Sequence, residues 1–222
     1  MAGAAIFDVD GTLTDTNHLH VVAWWEAFRQ AGHTVPMPDI HRAIGLGSGD
    51  LIERLLGADR DPDQDSAISS AHKVLYGTYF DRLPAFQGAG DLLRALAGRG
   101  WRVVLATSAS GGELTALRRA VDADEAIDDT ASSDDVDEGK PAPEPVRLAL
   151  ELAGVGAGQG VFVGDTVWDM QAADRAGVRA VALLSGGIPR ADLEAAGADV
   201  VFRDTADLLA RLDESPFASL PG

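Results

Sequence analysis

Two aspartates one residue apart stand near the start of the chain, in the segment AAIFDVDGTLTD at residues 4–15. Apolar residues lead into the pair, as in a buried strand. Because side chains alternate between the two faces of a strand, Asp8 and Asp10 are expected to project on the same side. Neighbouring carboxylates raise each other's pKa unless a cation or a shared proton relieves the repulsion. The pair is therefore either a costly accident or part of a charged site.

Polar side chains also follow two later apolar runs. Thr107 and Ser108 come after the run VVLA, and Asp165 comes after VFVG, with Asp169 four residues further on. In an open parallel sheet, ligands bind beyond the carboxyl ends of the strands. These groups are therefore expected to meet Asp8 and Asp10 at one edge. If a helix begins after Asp165, then Asp165 and Asp169 share one of its faces.

Lys140 stands in the segment EGKPAPEP at residues 138–145, just before a predicted helix. Most lysines are solvated surface charges, but a lysine at the same sheet edge as four aspartates is a candidate phosphate ligand. Hard oxygen ligands with no thiol or imidazole nearby suit Mg²⁺. An EF-hand is excluded because Leu13 and Leu19 stand where that loop needs Gly and Glu, and no Walker loop occurs.

The elements that must position these residues follow from the apolar pattern. Six apolar runs, separated by helical patterns after the first third of the chain, predict strands near residues 4–7, 101–106, 126–133, 160–164, 178–184 and 198–202. Apolar runs without alternation suit strands covered on both faces, and repeated strand–helix units imply parallel pairing. The expected fold is α/β, with a doubly wound, mostly parallel sheet.

Residues 17–85 show helical spacing without a convincing strand. Val21, Trp24, Trp25 and Phe28 lie at helical intervals, and Ser48 is a possible cap of a second amphipathic helix. We expect a helical cap domain at 17–85 inserted into a core formed by residues 1–16 and 86–222. Core packing is the simplest role for Trp24 and Trp25. The last segment, ESPFASLPG, is expected to be a loose tail.

Composition limits the partners. The formal net charge is −17 and the chain has no cysteine. A strongly negative field repels nucleic acid and anionic membranes, and the lack of cysteine excludes disulfides and thiolate zinc sites. Without a signal-like or membrane-length apolar run, we expect a soluble cytoplasmic protein, monomeric or homodimeric, acting on a small molecule.

Four segments resemble the signature motifs of one family. In order, FDVDGTLTD, LATS, GKPAPEP and GDTVWD are similar to the four motifs of the haloacid dehalogenase superfamily of phosphotransferases. The motifs span nearly the whole chain, and the helical insert lies where the family places a C1-type cap. The resemblance is greatest to the branch of phosphoglycolate phosphatases and β-phosphoglucomutases. It implies a Rossmann-like core and a Mg²⁺-dependent phosphatase acting on a small phosphate monoester.

The resemblance also implies roles for individual residues. Asp8 matches the nucleophile that forms an aspartyl-phosphate. Asp10 matches the general acid and base. That role needs a proton that is available near neutral pH, and we expect the crowding of carboxylates to supply it. The implied Mg²⁺ ligands are Asp8, the backbone carbonyl of Asp10 and Asp165, with Asp169 in support. Groups expected to hold the phosphoryl oxygens are Thr107, Ser108, Lys140 and the backbone N–H of Gly11.

Two other activities remain open. A mutase is favoured by His20, which the mutase-like branch shares, but TSASGG has no lysine beside Gly111 and Gly112, and GLGSGDL has no arginine for a second phosphate. A hydrolase is therefore the preferred interpretation. A phospho-accepting signalling module is less compatible, because DVDGT places both aspartates on one strand. The presence of Asp10 disfavours dehalogenation, and Glu144 replaces the commoner aspartate of the third motif.

Substrate identity depends on the cap. We expect His20, Arg42 and Lys73 to contact substrate, and Trp24, Ser48, Arg54 and Tyr76 are further candidates. For each of them, an exposed helix face or packing within the cap is an equal alternative. The cap is expected to close over the core during the reaction, with hinges near Thr16 and near residues 84–88.

Overall fold

A six-stranded parallel sheet forms the centre of the computed structural model, which describes residues 3–136 and 138–218. The strands lie in the order β3-β2-β1-β4-β5-β6, and every neighbouring pair is parallel. Their bounds are β1 Gly3–Phe7, β2 Trp101–Ala106, β3 Asp129–Ala131, β4 Gly160–Gly164, β5 Arg179–Leu183 and β6 Val200–Phe202. The predicted doubly wound α/β fold is confirmed.

Ten α-helices accompany the sheet in the described part of the chain. Five of them lie between β1 and β2: α1 Asn17–Gln30, α2 Met37–Ala43, α3 Ser48–Leu56, α4 Asp65–Gly77 and α5 Ala89–Gly98. The others alternate with the later strands: α6 Gly111–Val121, α7 Glu144–Ala153, α8 Val167–Ala176, α9 Arg190–Ala195 and α10 Thr205–Ala210. The alternation of strands and helices follows the predicted order.

Each strand divides its side chains between two apolar cores. In β1, Ala5 and Phe7 join a cluster that includes residues of α5, α6 and α10, whereas Ala4 and Ile6 join a cluster with α7, α8 and α9. Every residue of β1 is buried. Coverage on both faces explains why these strands are continuous apolar runs rather than alternating ones.

Helices α1 to α4 enclose a third apolar cluster of their own. It is formed around Trp24, Phe28, Ile40 and Ile52, so Trp24 has the packing role expected for it. Ser48 is not the cap of α3: Gly47 precedes the helix, Ser48 is its first residue, and no side-chain capping bond is formed. The separate cluster agrees with a cap domain at 17–85, and that domain division stays a prediction.

The chain leaves and rejoins the sheet domain at adjacent points. The backbone N–H of Asp15 donates to the Pro84 carbonyl at 2.9 Å, and the N–H of Phe86 donates to the Leu13 carbonyl at 2.9 Å. Thr14 and Ala85 form an antiparallel bridge between these bonds. Both connections of the helical insert therefore run side by side, close to the predicted hinges.

The prediction of a loose C-terminal tail is wrong for the residues described there. Phe217 is fully buried, its ring stacked on Phe7 with 6.4 Å between centroids and packed edge-on against Trp101 at 5.1 Å. Residues 219–222 of that segment lie outside the described residues. Within the described ranges, no helix has both the length and the apolar character needed to span a bilayer.

Candidate active site

The carboxyl ends of the three central strands deliver the predicted polar residues to one place. Asp8 follows β1, Thr107 follows β2 and Asp165 follows β4, and Asp8 is anchored by its backbone N–H, which donates to the Val163 carbonyl at 2.9 Å. Asp8, Thr107 and Asp165 are all buried. Because parallel strands end at the same edge, the sheet itself assembles this polar group from distant parts of the sequence.

Lys140 joins the group from the loop ahead of α7. Its ammonium donates to Asp8 Oδ1 and lies 2.8 Å from Asp169 Oδ1. Burial alone would lower the pKa of Lys140, but Asp169 and Asp8 raise it above its usual value. The lysine is therefore a buried cation shared by two carboxylates.

Asp8, Asp165 and Asp169 form a cluster that fits a hard divalent cation. Each offers a carboxylate oxygen, and the three oxygens lie within 4.8 Å of one another. Burial raises the pKa of Asp8 to about 7, with Lys140 opposing the shift and Asp169 adding to it. Burial, followed by the charges of Asp8 and Asp169, also raises the pKa of Asp165 well above its usual range. Carboxylate oxygens are ligands that Mg²⁺ prefers, and a bound cation would reduce the repulsion among these three acids.

Neighbouring donors fix the orientation of Asp165. Thr12 Oγ1 donates to its Oδ1 at 2.9 Å, and Asn17 Nδ2 donates to its Oδ2 at 2.8 Å. Gly186 lies so close that a Cβ at that position would stand 1.7 Å from Asp165 Oδ2. The carboxylate is thus held in a cradle that admits no side chain at residue 186.

Asp169 is oriented by the start of α8. The backbone N–H and the hydroxyl of Thr166 donate to its Oδ2 at 3.0 and 2.6 Å, while Asp169 N–H donates back to Thr166 Oγ1 at 3.2 Å. This reciprocal capping box satisfies the first turn of the helix. It leaves Asp169 Oδ1 facing Lys140, so one local motif both begins the helix and positions an acid.

Asp10 lies beside the cluster with a separate set of partners. Its Oδ1 accepts from Thr16 Oγ1 at 2.6 Å and Tyr76 OH at 3.4 Å, and lies 3.2 Å from His20 Nε2. Burial favours a raised pKa for Asp10, but His20 and Thr16 outweigh it and the pKa is lowered. The acid and base role expected for Asp10 stays a prediction; Asp10 in turn raises the pKa of the neighbouring His20 against the effect of burial.

A stack of rings supports His20 from within the cap. His20 Nδ1 lies 3.1 Å from His72 Nε2, and the His72 ring stacks on Trp24 with 4.0 Å between centroids. The ring of Tyr76 also stacks on His20, with 3.8 Å between centroids. Burial, and then the charge of His20, lowers the pKa of His72 to about 2, so His72 is a neutral partner.

The cluster opens into a cavity of ≈ 270 Å³ between the cap and the sheet edge. Its lining divides into a charged floor, hydroxyl groups and an apolar wall. The floor and hydroxyls include Asp8, Asp10, Thr107, Ser108, Ser110, Glu113 and Lys140, and the cap contributes His20, Trp24, Ile44, Leu46, Ser48, Leu51, His72 and Lys73. The cavity is large enough for a small ligand and places it against Asp8 and Asp10.

Some predicted contacts lie elsewhere. Arg42 is exposed and absent from the cavity wall, and only its carbonyl is engaged, by Trp168 Nε1 at 3.3 Å. Arg54 covers the Trp168 ring at 4.8 Å instead. The N–H of Gly11 donates to the Thr14 carbonyl at 2.8 Å and its carbonyl accepts from Ser185 Oγ. A contact from the Gly11 N–H to phosphate would have to replace the bond to Thr14, and that contact stays a prediction.

Sequence reasoning missed several residues of the site. Thr12, Thr16 and Asn17 hold Asp165 and Asp10 in place. Their position within the segment that follows the first strand was the available signal. His72 stands four residues before Tyr76 on α4, a spacing that puts both on one helix face. Glu113 was indistinguishable from an ordinary acid in the first turn of a helix.

Comparison with known proteins gives a consistent result. The family model described as haloacid dehalogenase-like hydrolase matches residues 3–177. A phosphoglycolate phosphatase of Rhodospirillum rubrum is 32% identical over 218 residues, covering 94% of this chain and 90% of that protein.

Solved structures show the same fold. A hydrolase from Pseudomonas syringae superposes with a TM-score of 0.90 at 35% identity, covering 96% of this chain and 98% of that one. The CbbY protein of Rhodobacter sphaeroides, in complex with phosphate, has a TM-score of 0.76 at 29% identity, with 94% and 96% of the two chains covered. The likeness extends over the cap as well as the sheet domain, since nearly the whole chain is aligned.

Proposed function

The chain belongs to the haloacid dehalogenase-like hydrolase family and is a phosphatase, and we propose that it hydrolyses a small phosphate monoester, phosphoglycolate-like or sugar-phosphate-like, with Mg²⁺ and through an aspartyl-phosphate on Asp8. The observation that supports this most directly is the buried cluster of Asp8, Asp165 and Asp169 around Lys140 at the floor of the cavity. A carboxylate nucleophile, a fixed cation and a candidate metal site stand together there.

The residues fit a magnesium ion. Asp8, Asp165 and the backbone carbonyl of Asp10 would hold it, with Asp169 in support, and when bound it would neutralise charge on the phosphoryl group. Thr12 and Asn17 keep Asp165 oriented without the ion. Because the pKa of Asp8 is raised by burial, cationic neighbours are needed to keep this carboxylate ionised near neutral pH.

The first chemical step is transfer of the phosphoryl group to Asp8. A carboxylate oxygen of Asp8 forms a bond to phosphorus as the bond between phosphorus and the ester oxygen breaks. Thr107, Ser108 and Lys140 line the cavity beside Asp8 and are placed to hold the phosphoryl oxygens. Positioning and charge neutralisation supply most of what phosphoryl transfer requires.

Asp10, paired with His20, donates a proton in the first step and accepts one in the second. The pair holds one proton between His20 Nε2 and Asp10 Oδ1, which are 3.2 Å apart. Asp10 delivers that proton to the departing alcohol oxygen. In the second step Asp10 takes a proton from water, which attacks phosphorus and releases Asp8 and inorganic phosphate. An acid that becomes a base in the next step completes the cycle.

Phosphate release tests the proposal. A panel of phosphoglycolate, hexose phosphates and nucleoside monophosphates is assayed with Mg²⁺ and with a chelator. We expect metal-dependent release from the wild type, none from Asp8→Asn, and normal release from Asp59→Asn, which removes the same charge from an exposed turn. Asp10→Asn should bind Mg²⁺ but lose turnover. Release that survives Asp8→Asn, or that ignores the chelator, would contradict the mechanism.

A sugar phosphomutase is the second candidate, because His20, the residue shared with the mutase-like branch, lies 3.2 Å from Asp10 in the site. A mutase must bind two phosphate positions. Among the described residues, Lys73 is the cavity-lining lysine or arginine left for a second phosphate once Lys140 is engaged. Isomerisation of a hexose phosphate that requires a bisphosphate activator, without net phosphate release, would favour the mutase.

A further inference from the structure

The carboxylate of Glu113 lies inside the cavity without a role in the transfer chemistry. Glu113 stands in the first turn of α6, and its Oε1 is 3.9 Å from His20 Nε2. Its carboxylate oxygen lies within 4.8 Å of Asp10 and His20 ligand atoms. Because Asp10 serves the ester oxygen, Glu113 must border the alcohol part of the substrate.

Helix capping does not explain this placement. Acids in the first turn of a helix are common because they complement the helix dipole, but an acid can make that interaction while its carboxylate stays in water. The side chain of Glu113 is only 20% exposed. Burial raises the pKa of Glu113 to about 7, with His20 opposing that shift and Asp10 adding to it. A carboxylate that is largely removed from water and lies beside another acid is expected to contact a ligand.

Uncharged side chains make up most of the cavity wall on the side away from Asp8. Ser48, Ser108 and Ser110 contribute hydroxyl groups, and Ile44, Leu46 and Leu51 form an apolar wall. The serine hydroxyls can donate hydrogen bonds to an alcohol and accept them from it, and a carboxylate can accept them. The apolar wall suits the carbon face of a polyol. Lys73 also borders the cavity, but it is exposed and its charge acts on Glu113.

We propose that Glu113 makes this site select phosphate esters of uncharged, hydroxylated alcohols, such as a sugar or polyol phosphate, and disfavour esters whose alcohol carries a carboxylate. The inference rests on the proposed phosphatase function and narrows its substrate class. In phosphoglycolate a single carbon separates the ester oxygen from the carboxylate. If the ester oxygen contacts Asp10, that carboxylate must come close to Glu113, and like charges at such distances repel strongly in a buried site.

Three esters of equal length test the charge preference at pH 8.5, above the raised pKa of Glu113, so that this carboxylate is ionised. Phosphoglycolate, 2-hydroxyethyl phosphate and phosphoethanolamine end in an anionic, a neutral and a cationic group. We expect the wild type to hydrolyse 2-hydroxyethyl phosphate with kcat/KM roughly tenfold or more above that for phosphoglycolate. In Glu113→Gln, which keeps a hydrogen-bonding group of the same size, this ratio should fall to about one. Glu151→Gln, the same change on an exposed position of α7, should keep the wild-type ratio.

The outcomes separate the two proposals. If no ester in the set or in the wider panel releases phosphate, the phosphatase proposal and this inference both fail. If release occurs and phosphoglycolate is preferred, with the preference lost in Lys73→Gln and unchanged in Glu113→Gln, only the inference is overturned. Preference for phosphoethanolamine that depends on Glu113 would also overturn it, since the site would then select a cation.

Discussion

Lys140 and Asp169 form a buried ion pair, with 2.8 Å between the ammonium Nζ and the carboxylate Oδ1. The same ammonium donates to Asp8, so one cation neutralises two acids, one at the end of β1 and one in the first turn of α8. Without it, three carboxylates would face one another in a region closed to water. The pair therefore supports the folded metal-free protein as well as the site.

Replacement of Lys140 by Met should destabilise the metal-free protein strongly. Loss of one partner from a buried ion pair leaves an uncompensated charge and costs roughly 3–5 kcal/mol of unfolding free energy. Urea denaturation in a chelator measures the change. Lys73→Met is the matched control because Lys73 is the chain's other lysine and is exposed. Equal stability of the two variants would show that the buried pair contributes nothing.

Asp8→Asn should stabilise the metal-free protein at high pH. The folded carboxyl has a pKa raised from 3.8 to about 7, so the folded state holds its proton more tightly than the unfolded state does. The resulting stability is complete below the unfolded pKa and is lost as the pH rises to about 7. Asparagine cannot ionise and avoids this loss. We expect Tm in a chelator to exceed that of the wild type by roughly 10 °C at pH 8.

The two proteins should differ much less in Tm at pH 4, where the Asp8 carboxyl is protonated in the folded state. Saturating Mg²⁺ should also narrow the gap at pH 8 by stabilising the wild type. A Tm difference that is constant across the pH range would mean that the charge of Asp8 is not the cause.

Gly186→Ala should weaken metal binding. The new Cβ would stand 1.7 Å from Asp165 Oδ2, so the carboxylate must move although Thr12 and Asn17 hold it. Displacement of an oriented metal ligand typically lowers metal affinity by about 10–100-fold. Titration of activity with Mg²⁺ measures the shift.

Gly98→Ala provides the comparison for Gly186→Ala. Gly98 ends α5, and a Cβ there would meet nothing within 4 Å. This variant should keep the wild-type Mg²⁺ requirement and gain about 0.5–1 kcal/mol of unfolding free energy. If both glycine variants require the same Mg²⁺ concentration as the wild type, then Asp165 does not depend on the cradle.

His72→Phe should reduce turnover, because His20 then loses the hydrogen-bond partner that orients its ring. Phenylalanine preserves the stacking on Trp24 but cannot accept a hydrogen bond from His20 Nδ1. A buried donor without a partner costs about 1–3 kcal/mol, which corresponds to a fall in kcat of roughly tenfold. His72→Gln restores an acceptor and should recover most of the activity. If the Gln variant is as impaired as the Phe variant, the ring shape matters and the acceptor does not.

The fold was predictable because burial on both sheet faces leaves a plain signature. Strands such as GVFVG are continuous apolar runs, and their polar successors, Asp165 among them, mark the carboxyl ends. The principal acids and Lys140 could therefore be placed at the sheet edge from the sequence alone. Phe217 was missed because a single aromatic residue near Pro, Ser and Gly carries no periodicity. Its partners Phe7 and Trp101 are far away in sequence.

The parts of the cavity wall that come from helices were less predictable than the strand ends, for a physical reason. Whether a polar residue on a helix faces water or a cavity depends on how two domains meet, and helical periodicity does not contain that information. Arg42 and Glu113 illustrate the two errors: Arg42 is suited to an anionic substrate yet is exposed, whereas Glu113 is a common helix-start residue yet lies in the cavity. Their local sequences give no hint of the difference.

The helical insert begins and ends at adjacent points of the sheet domain. Backbone bonds between Asp15 and Pro84 and between Leu13 and Phe86 hold these two points together, so the insert is a loop with joined ends. Because the two connections lie side by side, an insert of different sequence can be joined to the sheet domain at this one place. The entropy of closing such a loop grows only slowly with its length, so the size of the insert has little effect on the sheet. The part of substrate preference that the insert determines can thus change while Glu113 and the catalytic edge stay in place.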